Sequence, residues 1–262
     1  DADAISEGIT IHTTLQPKAQ EKVEETLNSD IFPTEDIQAG VAVIDTKTGA
    51  VVAAGGGRNY GVDRGYNHAH DMKERSPGST IKPLIDYGPA VEFLDWSPAQ
   101  TIVDEDIKYT GTDQVIRNAD NKYLGAMTMR EALYKSRNTT AVKTLKEVGT
   151  KNAREFISRF GVDIGTVNEA YAIGGISKFM SPIQLAGAYA AFGNNGNHTE
   201  PYAINKIVYR DGKTEKNYKP ESKTVMKDST AYIITDVLRD VLTKGTGKAA
   251  AISGLDVAGK SG

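Results

Sequence analysis

Ser79 and Lys82, three positions apart in the stretch Arg75-Ser76-Pro77-Gly78-Ser79-Thr80-Ile81-Lys82-Pro83, form a candidate nucleophile and base. On a helix, residues i and i+3 share a face, which brings the Ser79 hydroxyl within reach of the Lys82 amine. Pro77 and Gly78 break whatever precedes, and Leu84, Ile85, Val91 and Leu94 then recur at roughly helical spacing. The sequence therefore places Ser79 at the mouth of a buried helix. Unpaired N–H groups and the positive end of the helix dipole favour alkoxide over hydroxyl there, and neutral amine over ammonium, so both groups are activated. Pro83 lacks an N–H and disfavours helical dihedrals at Lys82, which confines it to the first turn. The plainer reading of S-x-x-K is a serine cap followed by an exposed lysine. The pattern gains weight only from the rest of the chain.

Two further polar motifs follow. Thr128-Met129-Arg130-Glu131 has the form of a capping box, with Leu133 continuing the apolar face of its helix. Thr139 and Thr140 can cap the next helix, which carries Val142, Leu145 and Val148 and stops at Gly149. Ser136 and Asn138 fall at the junction, where polar side chains can face a cleft. Lys260-Ser261-Gly262 comes last, after a strand-like run from Ile252 to Ala258.

The remaining elements frame these motifs. Ile9 to Leu15 alternates and leads into a helix over Ala19 to Leu27, and Val41–Ile44 with Val51–Ala54 forms a hairpin. Trp96 to Val115 is a mixed stretch of short strands and loops, and Asn152 to Phe160 is a short helix closed by Gly161. Ser181-Pro182-Ile183-Gln184 opens a capped helix, Ile204 to Tyr218 folds about Asp211-Gly212, and Asp228-Ser229 caps an amphipathic helix that ends at Gly245. Strands at both ends with helices between predict an α+β domain whose terminal strands pair.

Composition excludes several classes. The chain of 262 residues can bury a full core, and one domain with a small appendage suits it better than two equal ones. Its net charge of −3 argues against a nucleic-acid surface. With no cysteine there are no disulfides, thiolate metal sites or cysteine nucleophiles. No apolar run approaches membrane-spanning length and no signal peptide precedes Asp1, so the expectation is a soluble piece of something larger. His68-Ala69-His70 has a metal-compatible spacing, but with no obvious nearby carboxylate or third histidine it reads as a loop with two solvated imidazoles. A phosphate loop is the sharper reading of Gly55-Gly56-Gly57, but no helix signal follows, which argues against it, and the glycines read as the end of the hairpin. Lys47-Thr48-Gly49 matches K-T-G but lies in a hairpin turn.

Ser79-x-x-Lys82, Ser136-x-Asn138 and Lys260-Ser261-Gly262, in this order, are the motif set of penicillin-binding proteins and class A β-lactamases. Gly8 to Pro17, Arg75 to Pro83, Tyr171 to Gly175, Ser181-Pro182, Tyr189 to Gly196 and Gly245 to Gly247 narrow the match. Over nearly its whole length the chain resembles the transpeptidase domain of class A, bifunctional penicillin-binding proteins. The resemblance implies an antiparallel sheet covered by helices with a helical subdomain, spanning residues 1–262. Residues 1–35 would be a lead-in from an interdomain linker.

It further implies a serine D,D-transpeptidase. Ser79 would attack the penultimate D-alanine of a peptidoglycan stem peptide, with Lys82 as base. Ser136 would relay the proton to the leaving amine, and Asn138 would hold Lys82 and the substrate amide. Lys260 and Ser261, with Gly262, would bind the substrate carboxylate and pair with its backbone. β-Lactam antibiotics would acylate Ser79, and no metal or organic cofactor is implied. The implied partners are stem peptides, an upstream glycosyltransferase domain and the cell-wall and division machinery. The implied location is the extracytoplasmic face of the bacterial membrane, anchored by a segment outside this chain. The third motif has serine where threonine is commoner, which keeps the hydroxyl. In the family, the N–H after Gly262 joins that of Ser79 in the oxyanion hole, and further strands follow. The expectation is an incomplete domain: a protein ending at Gly262 folds poorly and does not turn over, since one oxyanion donor is worth roughly 3 to 4 kcal/mol.

Other readings have their own discriminators. Gly254 to Ser261 spells a Walker A motif, G-x-x-x-x-G-K-[ST], but a nucleotide hydrolase needs a helix after it and a downstream acid for Mg²⁺. A class A β-lactamase needs E-x-x-x-N between the second and third motifs, and no glutamate after Asn138 has asparagine four residues on. A β-lactam sensor or a non-catalytic scaffold of the same fold differs from the enzyme in lacking stem-peptide turnover.

Overall fold

The computed structural model describes residues 8–61, 65–72, 75–176 and 179–262. In chain order it contains β1 (Ile9–Thr13), α1 (Pro17–Leu27), β2 (Val41–Ile44) and β3 (Val51–Gly55). A helical run follows, built of a 3-10 turn (Gly78–Ile81), a π turn (Pro83–Tyr87) and α2 (Gly88–Leu94). Next come β4 (Thr101–Asp104), β5 (Gly125–Thr128), α3 (Met129–Tyr134), α4 (Asn138–Val148) and α5 (Thr150–Ser158). The last are α6 (Pro182–Phe192), β6 (Asn197–His198), β7 (Ile204–Tyr209), β8 (Glu215–Asn217) and α7 (Asp228–Thr243). The chain divides into two compact units, Asp1–Lys73 with Met180–Lys223 and Glu74–Phe179 with Thr224–Gly262.

The first unit is built on an antiparallel sheet in the order β1-β7-β8, with Ile9 opposite Tyr209 and Thr13 opposite Ile204. The β7–β8 turn forms because Asp211 Oδ1 accepts from the N–H groups of Lys213 and Thr214. In the β2–β3 hairpin Asp45 likewise accepts from Thr48 N–H and its hydroxyl, and Gly49 takes φ +75°. Lys47-Thr48-Gly49 is thus a turn, as its sequence predicts. The segment before α1 is tied into the fold: Thr14 Oγ1 donates to Val51 O at 2.7 Å, and Val23 and Leu27 of α1 pack against Ala53. Gly55 lies so close beneath α1 that a Cβ there would stand 2.2 Å from Leu27 Cδ1. At α6 the predicted capping box is complete, with Ser181 and Gln184 bonding each other's backbone N–H. His68 differs from the expected solvated imidazole: it is half-buried with Nδ1 2.6 Å from Gly56 O. His70 is exposed and meets the neighbouring Asp71 carboxylate at 2.7 Å.

The second unit packs helices around the 78–94 run, whose Ile81, Leu84, Ile85 and Ala90 are fully buried. The helix expected from Ser79 onward exists, but prolines divide it. Lys82 N–H donates to Ser79 O, closing a 3-10 turn, while Pro83 and Pro89 can donate nothing. Gly88 N–H reaches back to Pro83 O in a π turn, and a Cβ at Gly88 would stand 2.3 Å from that oxygen. β4 and β5 pair antiparallel, and Thr128 caps α3 by accepting from Glu131 N–H at 3.1 Å. The Glu131 carboxylate goes to Lys135.

Three local expectations fail: two caps because their partners come from elsewhere in the chain, and one strand because it has no ladder partner. Thr139 and Thr140 do not cap α4. Both are buried within its first turn, and Asn118 Oδ1 supplies the cap by accepting from Asn138 N–H at 2.7 Å. Asp228 is the first residue of α7, and Glu92 Oε2 serves that end, accepting from Lys227 N–H at 3.0 Å and Thr230 Oγ1 at 2.7 Å. Residues 252–258 form no strand. Leu255 N–H closes a turn onto Ile252 O, Gly254 takes φ +79°, and Ile252 and Leu255 stand exposed without the ladder a strand requires. The terminal strands therefore do not pair, and β1 has β7 as its partner. All named strand pairs with a defined register are antiparallel, so the architecture is α+β as expected. No described helix is long and apolar enough to cross a membrane.

Candidate active site

The second unit contains all three sequence motifs. Ser79 enters its turn behind Gly78, which takes φ +54° and lies so close to Gly174 that a Cβ at 174 would stand 2.6 Å from Gly78 Cα. Ser76 Oγ donates to Gly174 O, fixing the same contact. Ser79 is half-buried, and among the described residues its hydroxyl makes no hydrogen bond. Lys82 is fully buried and aims its ammonium at the second motif, not at Ser79. Its Nζ donates to Ser136 O at 2.8 Å, Asn138 Oδ1 at 2.8 Å and Arg137 O at 3.1 Å, and lies 3.4 Å from Ser136 Oγ.

Ser136 adopts φ +57°, a left-handed conformation costing an L residue about 1–2 kcal/mol. The turn is closed by Ser136 N–H onto Leu133 O and Arg137 N–H onto Ala132 O. Asn138 Nδ2 donates to Arg117 O, which leaves Oδ1 to face Lys82. From the third motif, Lys260 Nζ donates to Ser136 Oγ at 2.8 Å and Ser261 O at 2.8 Å. Ser261 and Thr246 share a hydroxyl hydrogen bond of 2.6 Å. Gly262 lies against the loop of the first motif, where a Cβ would stand 2.9 Å from Pro77 O. Lys82, Ser136 and Lys260 are thus joined in one hydrogen-bonded chain, with Asn138 on Lys82 and Ser261 on Lys260.

Charges in this cluster are shifted by burial. Loss of hydration lowers Lys82 to about 7, with the positive charge of Lys260 acting in the same direction. Burial also brings Lys260 down to about 8. One turn below Lys82, Asp86 is fully buried with neither carboxylate oxygen bonded among the described residues, and burial pushes it well above the carboxylate range. A neutral amine near pH 7 can accept a proton, and a hydroxyl between two lysines can pass one on.

Sequence reasoning missed the residues behind this cluster. Burial pushes Asp104 upward, but it ends below its usual range because it accepts from Thr139 Oγ1, Asn118 Nδ2, Leu124 N–H and Arg137 Nε. Asp104, Asn118 and Arg137 are scattered along the chain, and the only cue was arginine standing between Ser136 and Asn138. No cluster of metal-ligating side chains is found among the described residues. In the Walker-like stretch, residues 254–262 hold the end of a turn and a run without regular structure, and no helix.

Residues 39–262 match the family model of the penicillin-binding protein transpeptidase domain. The chain is 44% identical over 267 residues to penicillin-binding protein 1A/1B of Bacillus subtilis (strain 168), covering 100% of this chain and 29% of that protein. To penicillin-binding protein 1A of Streptococcus pneumoniae it is 35% identical over 270 residues, covering 98% of this chain and 37% of that protein. It spans roughly a third of the length of these relatives. Among solved structures, the D,D-transpeptidase domain of a peptidoglycan glycosyltransferase from Eggerthella lenta aligns with TM-score 0.78 at 21% identity, over 97% of this chain and 71% of that one. The imipenem acyl-enzyme of penicillin-binding protein A from M. tuberculosis aligns with TM-score 0.82 at 17% identity, over 97% and 68%. These two likenesses concern the fold.

Proposed function

Because the chain belongs to the penicillin-binding protein transpeptidase family, we propose that it cross-links peptidoglycan stem peptides through an acyl-enzyme on Ser79. The observation that carries this reading is the hydrogen-bonded chain from Lys82 through Ser136 to Lys260, with Lys82 closing the turn that carries Ser79, whose hydroxyl makes no hydrogen bond among the described residues. Lys82, neutral in a fair share of molecules near pH 7, takes the Ser79 proton as Oγ attacks the carbonyl carbon of the penultimate D-alanine. The C–N bond to the terminal D-alanine then breaks. Ser136 Oγ gives its proton to the departing amine and recovers one from the lysine at its side. An acceptor amine on a neighbouring stem attacks the ester and restores the Ser79 hydroxyl. Lys260, with the Ser261 hydroxyl, binds the substrate carboxylate, and Asn138 holds both Lys82 and the substrate amide.

β-Lactams would enter the same path and stop at the ester, because no glutamate between the second and third motifs has asparagine four residues on to activate a deacylating water. The domain would comprise residues 1–262, with residues 1–35 as the lead-in. The whole protein would act at the extracytoplasmic face of the membrane beside a glycosyltransferase domain. The test is release of D-alanine and formation of cross-linked dimer from a stem-peptide substrate by the full-length protein, with Ser79→Ala as control. Turnover abolished by Ser79→Ala supports the enzyme. Acylation by penicillin without stem-peptide turnover would make the chain a sensor or scaffold.

A further inference from the structure

The turn that faces Lys82 is shaped from outside itself. Ser136 sits at φ +57°, which its own side chain does not favour. The residue that follows holds it there. The Arg137 side chain is 6% exposed, and its guanidinium fork ends on three acceptors: Nε on Asp104 at 2.8 Å, Nη1 on Asp120 at 2.9 Å, and Nη2 on Lys122 O. On the other side of the turn, Asn118 Oδ1 accepts from Asn138 N–H, while its Nδ2 donates to Asp104 at 2.7 Å and Lys122 O at 2.9 Å. The result is two backbone carbonyls, Ser136 O and Arg137 O, pointed at Lys82 Nζ.

We propose that Arg137 is a positioning residue for acyl transfer. Through Asp104, Asp120 and the Lys122 carbonyl, it holds the turn whose carbonyls aim the Lys82 amine and whose serine hydroxyl meets Lys260. This rests on the reading of Lys82 as the base. Arg137 meets its acceptors from three different nitrogens of a planar fork, whereas the three donors of a lysine sit on one atom, so lysine at this position keeps the charge and loses the hold.

The charged groups around Lys82 come from three elements. Asp86 is on its own helix, Arg137 is on the turn, and Lys260 is on the C-terminal segment. Asp104 and Asp120 lie behind Arg137, and the neighbouring Tyr87 phenol is occupied by Thr140. Arg137→Lys leaves all of these charges in place. A change in the pH dependence of acylation therefore reports the geometry and wetting of Lys82, where a merely structural defect would lower stability or the active fraction alone.

The experiment measures the second-order rate of acylation by benzylpenicillin from pH 5.5 to 9 in the full-length protein, together with its melting temperature. Arg137→Lys should slow acylation at pH 7 by roughly tenfold or more and raise the midpoint of the acid limb as water reaches Lys82. Asp120→Asn, which loosens one half-exposed end of the fork, should shift the midpoint in the same direction by less. Arg159→Lys disturbs a different partly buried ion pair, with Glu92 at 3.0 Å, and should lower the melting temperature while leaving the midpoint alone. A wild-type midpoint in both Arg137→Lys and Asp120→Asn would overturn the proposal, as would an equal shift in Arg159→Lys. If Arg137→Lys does not fold, Asp120→Asn decides by the same criterion. A wild-type protein that forms no adduct would defeat the reading of Ser79 and Lys82, a result distinct from unshifted variants.

Discussion

Acylation of this site should have a narrow pH optimum, and the structure sets both of its limbs. The perturbation is pH alone. Lys82 must be neutral to take the Ser79 proton, and burial places its midpoint at about 7. Lys260 must be charged to bind a carboxylate, and burial places its midpoint at about 8. The product of neutral Lys82 and charged Lys260 peaks near pH 7.5, where about three-quarters of each lysine is in the required state. At pH 6 roughly nine-tenths of Lys82 is protonated, and at pH 9 roughly nine-tenths of Lys260 is neutral. The acylation rate constant should therefore fall about sixfold from its maximum in either direction. The assay is stopped-flow acylation by a fluorescent penicillin under second-order conditions, which reports the free protein. A flat profile from pH 6 to 9, or an acid limb near the ordinary lysine value, would refute the argument that burial makes Lys82 the base.

Three other perturbations follow from the packing. Gly174→Ala would press a methyl group 2.6 Å from the backbone of Gly78 and force a positive φ on alanine, so acylation should drop at least tenfold with a small change in melting temperature; both are measured on the same sample. Glu92→Ala removes the acceptor for Lys227 N–H, the Thr230 hydroxyl and Arg159, and should cost about 3 kcal/mol in denaturant unfolding while sparing acylation of the folded fraction. For Asp86 the folded state holds a proton that the unfolded chain releases near pH 4, so its contribution turns unfavourable as pH rises above that value. Asp86→Asn should match wild type in melting temperature at pH 4 and exceed it at pH 8; the reverse order would show that the acid is ionised and paired.

Local rules recovered the elements whose signals are self-contained. The Ser181 to Gln184 capping box, the Asp45 and Asp211 turns and the Gly149 stop each depend on residues a few positions apart, and each stands where the sequence puts it. The three motifs were legible as short strings in a fixed order. What was not legible depends on side chains arriving from far along the chain. Asn118 caps α4 and Glu92 serves the start of α7, so the threonines and the aspartate nearest those ends take other roles. The 252–258 run reads as strand-like, yet a run of residues supplies no hydrogen-bond partner for itself. Spacing brought Ser79 and Lys82 to one helix, but burial and the left-handed Ser136 turn decide where the amine points.

The central claim is that Ser79 is the acylated nucleophile. Its most direct test is the intact mass of the full-length protein after incubation with benzylpenicillin, with fragmentation of the peptide spanning residues 76–108. One stable adduct of a single penicilloyl group on Ser79, absent from Ser79→Ala, is the predicted result. A folded protein with no adduct, or with the adduct on another residue, would contradict it.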